Sequence, residues 1–176
     1  MTKEEIIHTA KDTFTGFTET CNGIGEKEFF EHPPGKWSVA ENIQHLILAT
    51  NTASLAYALP KFLVKWIGGK PISHSGTFDE LLARYNKKLE DGGRASSRYV
   101  PKPSEVKFGK TMLLANWTKA TTKFIRALAK NRTENDLDHY QVKHPLLGTI
   151  TLRELCYFTI FHTRHHLQSI EKRMAL

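Results

Sequence analysis

The stretch Ser38-Val39-Ala40-Glu41-Asn42-Ile43-Gln44-His45-Leu46-Ile47 opens a helix and sets a histidine inside it. Ser38 stands three residues before Glu41, the spacing at which each side chain satisfies the other's backbone N–H at a helix N-terminus. From Val39 the chain stays largely apolar to about Leu59, where Pro60 would kink or end the helix. The same device recurs at Thr2 with Glu5, Thr77 with Glu80, and Thr151 with Glu154, so the sequence announces helix starts at four places.

The stops are as plain. The first helix is expected to end near Cys21, before Asn22-Gly23-Ile24-Gly25, and a short apolar extension follows Pro60 to Trp66 before Gly68-Gly69. A shorter helix runs from Phe78 to about Leu89 and is closed by Asp91-Gly92-Gly93. Another runs from about Lys110 to Lys130, with Met112, Leu113, Ala120, Phe124 and Leu128 as its apolar stripe, and the last runs from the Thr151 cap to about Arg173. No segment alternates convincingly at period two, and no internal repeat is found. Long amphipathic helices around one core predict an all-α, antiparallel four-helix bundle, with an extra short helix and long connecting loops, in a single domain over residues 1–176.

Bundles build their sites from side chains on facing helices, and the histidines fit that plan. His162 and His166 stand four apart in His162-Thr163-Arg164-His165-His166, which puts both imidazoles on one helix face, about 5 to 6 Å apart at Cβ. Advancing about 100° per residue groups them with Leu155, Thr159 and Ile170, along the seam that faces the core. A third ligand is best sought on another apolar helix, where His45 lies two turns inside the segment opened by Ser38. Three neutral imidazoles with an open fourth position suit zinc, nickel, iron or copper. The competing reading is that buried histidines are hydrogen-bonded core residues. His165, off the seam, could pair with His162 at three-residue spacing or act as a supporting donor. Glu41 lies one turn before His45 and could serve as a fourth ligand or general base, but its place in the Ser38 capping box already accounts for it.

Composition excludes several classes. With 176 residues, 40% hydrophobic and 24% charged, the chain can bury a core without disulfides, and Cys21 and Cys156, lacking motif spacing, read as buried reduced thiols. The charged start Met1-Thr2-Lys3-Glu4-Glu5 lacks the apolar core of a signal peptide, and no apolar run reaches membrane-spanning length, so a cytoplasmic protein with no membrane partner is expected. The net charge of +7 is concentrated at Lys119, Lys123, Arg126 and Lys130, at helical spacing, and at Arg94, Arg98, Lys102, Lys107 and Lys110 in a loop over 91–110. Without interleaved aromatics or a nucleic-acid motif, these read as a solvated helix face and a loop, not a nucleic-acid site. That loop could instead overhang the bundle mouth and attract an anionic substrate. The last helix is apolar nearly all round, with Cys156, Tyr157, Phe158, Ile160 and Phe161 on faces a peripheral helix leaves polar. Either the connections cover it or a second subunit does, and the expectation is a homodimer.

Trp37-Ser38-Val39-Ala40-Glu41-Asn42-Ile43-Gln44-His45-Leu46 resembles the Trp-Ser-x-x-Glu-x-x-x-His-Leu signature of the DinB/YfiT-like superfamily. His144-Pro145-x-x-Gly148-x-x-Thr151-x-x-Glu154, followed by His162-x-x-His165-His166, resembles its C-terminal half. Gln168 stands one place earlier than the family's common glutamine, so no role passes to it. The resemblance implies a four-helix bundle, often dimeric, with one divalent transition metal ion, commonly nickel or zinc, on three histidines matching His45, His162 and His166. It also implies a possible low-molecular-weight thiol cofactor in a thiol S-transferase; other members resemble metal-dependent isomerases or hydrolases. The expectation is thus a metal-binding protein acting on a small-molecule substrate or thiol, as transferase, as hydrolase, or as a non-catalytic, stress-related interaction protein.

Overall fold

A computed structural model of the chain describes residues 1–69, 74–102 and 109–174. Its elements in order are α1 (Lys3–Gly23), α2 (Glu26–Phe30), α3 (Val39–Ala58), α4 (Lys61–Gly68), α5 (Phe78–Glu90), a 3₁₀ turn (Ser97–Tyr99), α6 (Gly109–Asn131), α7 (Glu134–His139), β1 (Gln141–His144), β2 (Gly148–Thr151) and α8 (Leu152–Met174). The four capping pairs form as the sequence predicts. At α3, Ser38 N–H donates to Glu41 at 2.7 Å and Glu41 N–H to Ser38 Oγ at 3.1 Å. At α8, Thr151 N–H donates to Glu154 at 2.8 Å and Glu154 N–H to Thr151 Oγ1 at 3.1 Å. A fifth pair, Thr133 with Asp136, starts α7; the shorter aspartate does the same work there as glutamate.

The four long helices form a ring. α1 packs on α6 and α8, and α3 packs on the same two, so α1 and α3 face each other across one diagonal and α6 and α8 across the other. The arrangement is an all-α bundle, and it brings α3, which bears His45, directly against α8, which bears His162 and His166. At its heart Trp117 is fully buried, with Phe14 edge-on at 5.4 Å and Phe17 at 5.2 Å, and its indole N–H donates to Thr18 Oγ1 at 3.1 Å. Leu113, Trp117, Ala120, Phe124 and Leu128 share the buried face of α6 at three- and four-residue steps. Met112, one residue and about 100° from Leu113, falls off that face and is 52% exposed, contrary to its predicted place in the stripe.

A further expectation is corrected, and the ground for another is removed. Between the helix expected to end near Lys130 and the Thr151 cap, where no alternating segment was found, lies an antiparallel hairpin pairing Gln141 with Thr151, Val142 with Ile150, Lys143 with Thr149 and His144 with Gly148. Strands of four residues are too short to display an alternating pattern, and Gly148 supplies the positive φ of 73° at the turn. The apolar outer face of α8, the ground for expecting a homodimer, is covered within the chain. Phe78 of α5 packs on Tyr157 at 5.6 Å, Tyr85 packs on Phe158 at 5.5 Å and on Phe161 at 5.2 Å, and Ile160 is fully buried.

α4 begins after Pro60 as a separate helix and docks on β1. Gly68 lies so close to the Gln141 carbonyl that a side chain there would collide, and Gln141 Nε2 donates to the Gly68 carbonyl at 2.8 Å. Cys21 and Cys156 are buried free thiols whose pKa values burial pushes up to about 12, so neither is a ready nucleophile. No helix among the described residues is long and apolar enough to cross a membrane.

Because Trp117 fills the bundle centre, Trp117→Ala should destabilise the fold by about 3–5 kcal/mol through lost burial and the cavity left behind. Urea unfolding followed by circular dichroism measures it; a loss below about 1 kcal/mol would show that the surrounding aromatics collapse into the gap.

Candidate metal centre

The α3–α8 contact brings His45, His162 and His166 together, each buried, with 4%, 6% and 8% of its surface exposed. His162 Nε2 lies 3.0 Å from His45 Nε2 and 3.1 Å from His166 Nε2. The candidate ligand atoms all fall within 4.8 Å of one another. One face of α8 supplies two rings because of the four-residue spacing, and the ring of helices supplies the third.

The outer nitrogens decide the chemistry. His45 Nδ1 is 2.8 Å from the Tyr99 carbonyl, which can only accept, so the ring proton sits on Nδ1 and the Nε2 lone pair faces inward. His166 Nδ1 is 2.6 Å from Asn42 Oδ1. The Asn42 amide nitrogen donates to the Ser38 carbonyl at 2.8 Å and to the Trp37 carbonyl at 3.3 Å, which fixes its oxygen as the acceptor. His166 therefore also turns a bare Nε2 inward. His162 Nε2 can give one hydrogen to one of these lone pairs, not to both, so at least one buried acceptor stays unsatisfied in the protein alone. Protonation is an unfavourable remedy: burial first, then the neighbouring imidazoles, holds His162 and His166 well below the usual histidine range. His45 is lowered too, chiefly by burial, against the opposing Tyr99 carbonyl.

A divalent cation would resolve the conflict. Three nitrogens at about 2.0–2.1 Å from one tetrahedral ion would lie about 3.3 Å apart, slightly wider than the 3.0 and 3.1 Å found here. The two outer carbonyl partners are of the kind that orient metal-binding histidines. The residues present fit such an ion.

Beside the three rings lies a cavity of about 730 Å³, bordered by all of them. Trp37 stacks nearly parallel to His166, with ring centres 6.3 Å apart, and Phe158 stacks on His162 at 4.8 Å. Of the other sequence candidates, Glu41 completes its capping box and faces His32 Nδ1 at 3.1 Å, away from the cluster. His165 is half-buried, with its ring 6.2 Å from Tyr85, and borders the cavity outside the triad; Gln168 is exposed. The basic loop, whose position the sequence left open, lies against the cavity through Arg94 and Arg98. Lys110 instead donates to the Asn22 and Ile24 carbonyls at the end of α1, and Lys107 lies outside the described residues. Lys119, Lys123, Arg126 and Lys130 are exposed, as expected of a solvated face.

Three contributors went unread. Asn42, three residues before His45 on the same helix, offered a spacing signal; Tyr99, in an irregular loop, offered none. His144 was read only as the start of the stretch that resembles the family's C-terminal half. Its Nδ1 accepts from the Leu146 and Leu147 N–H groups, each at 3.2 Å, which puts its own proton on Nε2, and its ring meets Phe158 at 4.2 Å beside the cavity.

The sequence matches the model of the DinB superfamily over residues 11–170. No curated protein matches it. Among solved structures, a variant of the mycothiol-dependent maleylpyruvate isomerase is similar in fold, with a TM-score of 0.55 at 13% identity, over 96% of this chain and 60% of that one. The chain thus spans 60% of that protein's length.

Burial lowers the His144 pKa from 6.5 to about 4. A histidine neutral in the fold but titrating normally when unfolded favours the unfolded chain once pH drops below 6.5, so its contribution to stability is present above 6.5 and is lost progressively down to about 4. His144→Asn keeps an acceptor for the two turn N–H groups and removes the titration. The urea midpoint should therefore fall less between pH 6.5 and 4.5 in that variant than in the parent; equal slopes would place the His144 ring in contact with water.

Proposed function

The chain belongs to the DinB superfamily, and from that premise we propose that it is a metal-dependent enzyme holding one divalent transition ion, nickel or zinc, on His45, His162 and His166. The observation that carries the reading is the convergence of three buried imidazoles, two with bare inward nitrogens fixed by Tyr99 and Asn42. An ion there would leave an exchangeable position and would lower the pKa of a thiol or water bound in it, supplying an anionic nucleophile at neutral pH. The reaction we favour is transfer of a low-molecular-weight thiol to a small electrophile. Its support is the fold shared with an enzyme described as mycothiol-dependent, together with a cavity of about 730 Å³ beside the triad, a size suited to a small substrate.

The chain's own residues do the rest. Tyr99 and Asn42 keep the His45 and His166 lone pairs aimed inward, so no tautomer change is needed on binding. Trp37 and Phe158 pack on His166 and His162 and shield that side from water. Hydrolysis, with water in place of the thiol, would use the same groups. A non-catalytic metal-binding protein would have no need of the adjoining cavity.

Purified protein should carry about one nickel or zinc ion per chain by elemental analysis, and His45→Ala should lose it while its helical circular dichroism persists, because the core around Trp117 is separate from the site. Asn42→Ala, which frees His166 to turn, should weaken the ion about 10- to 100-fold. Collapse of the helical signal in His45→Ala would make the ion structural. Adding a small thiol to nickel- or cobalt-loaded protein should produce a charge-transfer band that His166→Ala abolishes. Hydrolysis of esters or amides without such a band would point to the hydrolase, and silence in both assays to a metal-binding protein without catalysis.

A further inference from the structure

The cavity beside the triad has an uneven lining. Its inner wall is one face of α3, where Ala49, Ala53 and Ala56 follow at steps of four and three residues and leave the space that larger side chains would fill. Leu155 and Phe158 of α8 continue that apolar surface. Three permanent cations also border the cavity: Arg94 and Arg98 from the loop before α6, and Lys143 from β1. No aspartate or glutamate is among the described residues that line it.

That absence is out of character for this chain, which has 18 acidic residues. Carboxylates do meet some cations elsewhere: Lys61 pairs with Asp136 at 2.8 Å, Arg84 with Glu154 at 3.1 Å, and Arg153 with both Glu134 and Asp138. At the cavity Arg98 lies over the Tyr99 ring at 5.8 Å, and that contact leaves the guanidinium charge uncompensated. The loop is also anchored, since the Tyr99 carbonyl receives the His45 Nδ1 proton. A concave apolar wall facing fixed cations concentrates field lines and draws negative charge.

We propose that the cavity binds an organic anion with an apolar body, its chain lying along Ala49, Ala53 and Ala56 and its charged group meeting Arg94, Arg98 and Lys143. Guanidinium groups suit the paired oxygens of a carboxylate or a phosphate alike. This deepens the function proposed above by naming the substrate class of the same site, but it draws on residues other than the three histidines.

The test is calorimetry on metal-free full-length protein with three ligands of equal chain length: octanoate, octanol and octylammonium. Octanoate should bind most tightly and octylammonium least. Replacing both arginines, Arg94→Gln with Arg98→Gln, should weaken octanoate about five- to tenfold, as expected of two solvent-accessible ion pairs, and leave octanol unchanged. Ala53→Trp should block all three by filling the wall, and octyl phosphate run beside octanoate shows which headgroup is preferred. Equal binding of octanoate and octanol, no binding of any ligand, or an unaltered octanoate affinity in the double variant would overturn the proposal. A preference for octanoate that emerges only in nickel-loaded protein would assign the anion to the ion and overturn it as well. A protein that takes no metal yet keeps the arginine-dependent preference would defeat the enzyme reading alone.

Discussion

Lone pairs of buried imidazoles turned toward one another are costly to leave unpaired, because each unpaired polar group in a dry core costs about 1–3 kcal/mol. His45, His162 and His166 impose that constraint, and their surroundings are arranged to keep it rather than relieve it. Asn42 could rotate its amide and hand His166 a donor, but the Ser38 and Trp37 carbonyls hold it the other way. Those carbonyls belong to the N-terminal turn of α3, which the Ser38–Glu41 box fixes. The cap that starts the helix thus also sets the tautomer of a ring on α8.

The positive charge of the chain has a structural use that its composition does not reveal. Neither α1 nor α3 has a basic residue in its last turn to meet the carbonyls left over there. Lys110 reaches the end of α1, and Arg132 donates to the Ala56 and Leu59 carbonyls at the end of α3. Lys3 does the same for the end of α6 through the Ala129 and Arg132 carbonyls. Each cap joins elements distant in sequence, so part of the basic excess ties the bundle together.

What could be read in the sequence was whatever is written locally. Capping pairs depend on residues three apart, and His162 with His166 on residues four apart, so both were legible. The ring order of the helices was not, because it is set by which faces pack and not by any one segment. The same holds for α8: its apolar outer face looked unpartnered until α5, some 70 residues earlier, was seen to cover it through Phe78 and Tyr85. The hairpin escaped because its strands are four residues each, and Tyr99 because its contribution is a backbone carbonyl that any residue could supply.

That carbonyl gives the loop two duties. The segment carrying Arg94 and Arg98 to the cavity continues into the 3₁₀ turn that accepts the His45 proton. Swinging the segment outward would open the cavity, but it would also strip a buried N–H of its acceptor, a loss of about 1–3 kcal/mol before any change in packing. The segment is therefore held from the side of the three rings, by a histidine whose other nitrogen points at His162. A cavity wall and a ring orientation that look separate in the sequence are held in register by this one hydrogen bond.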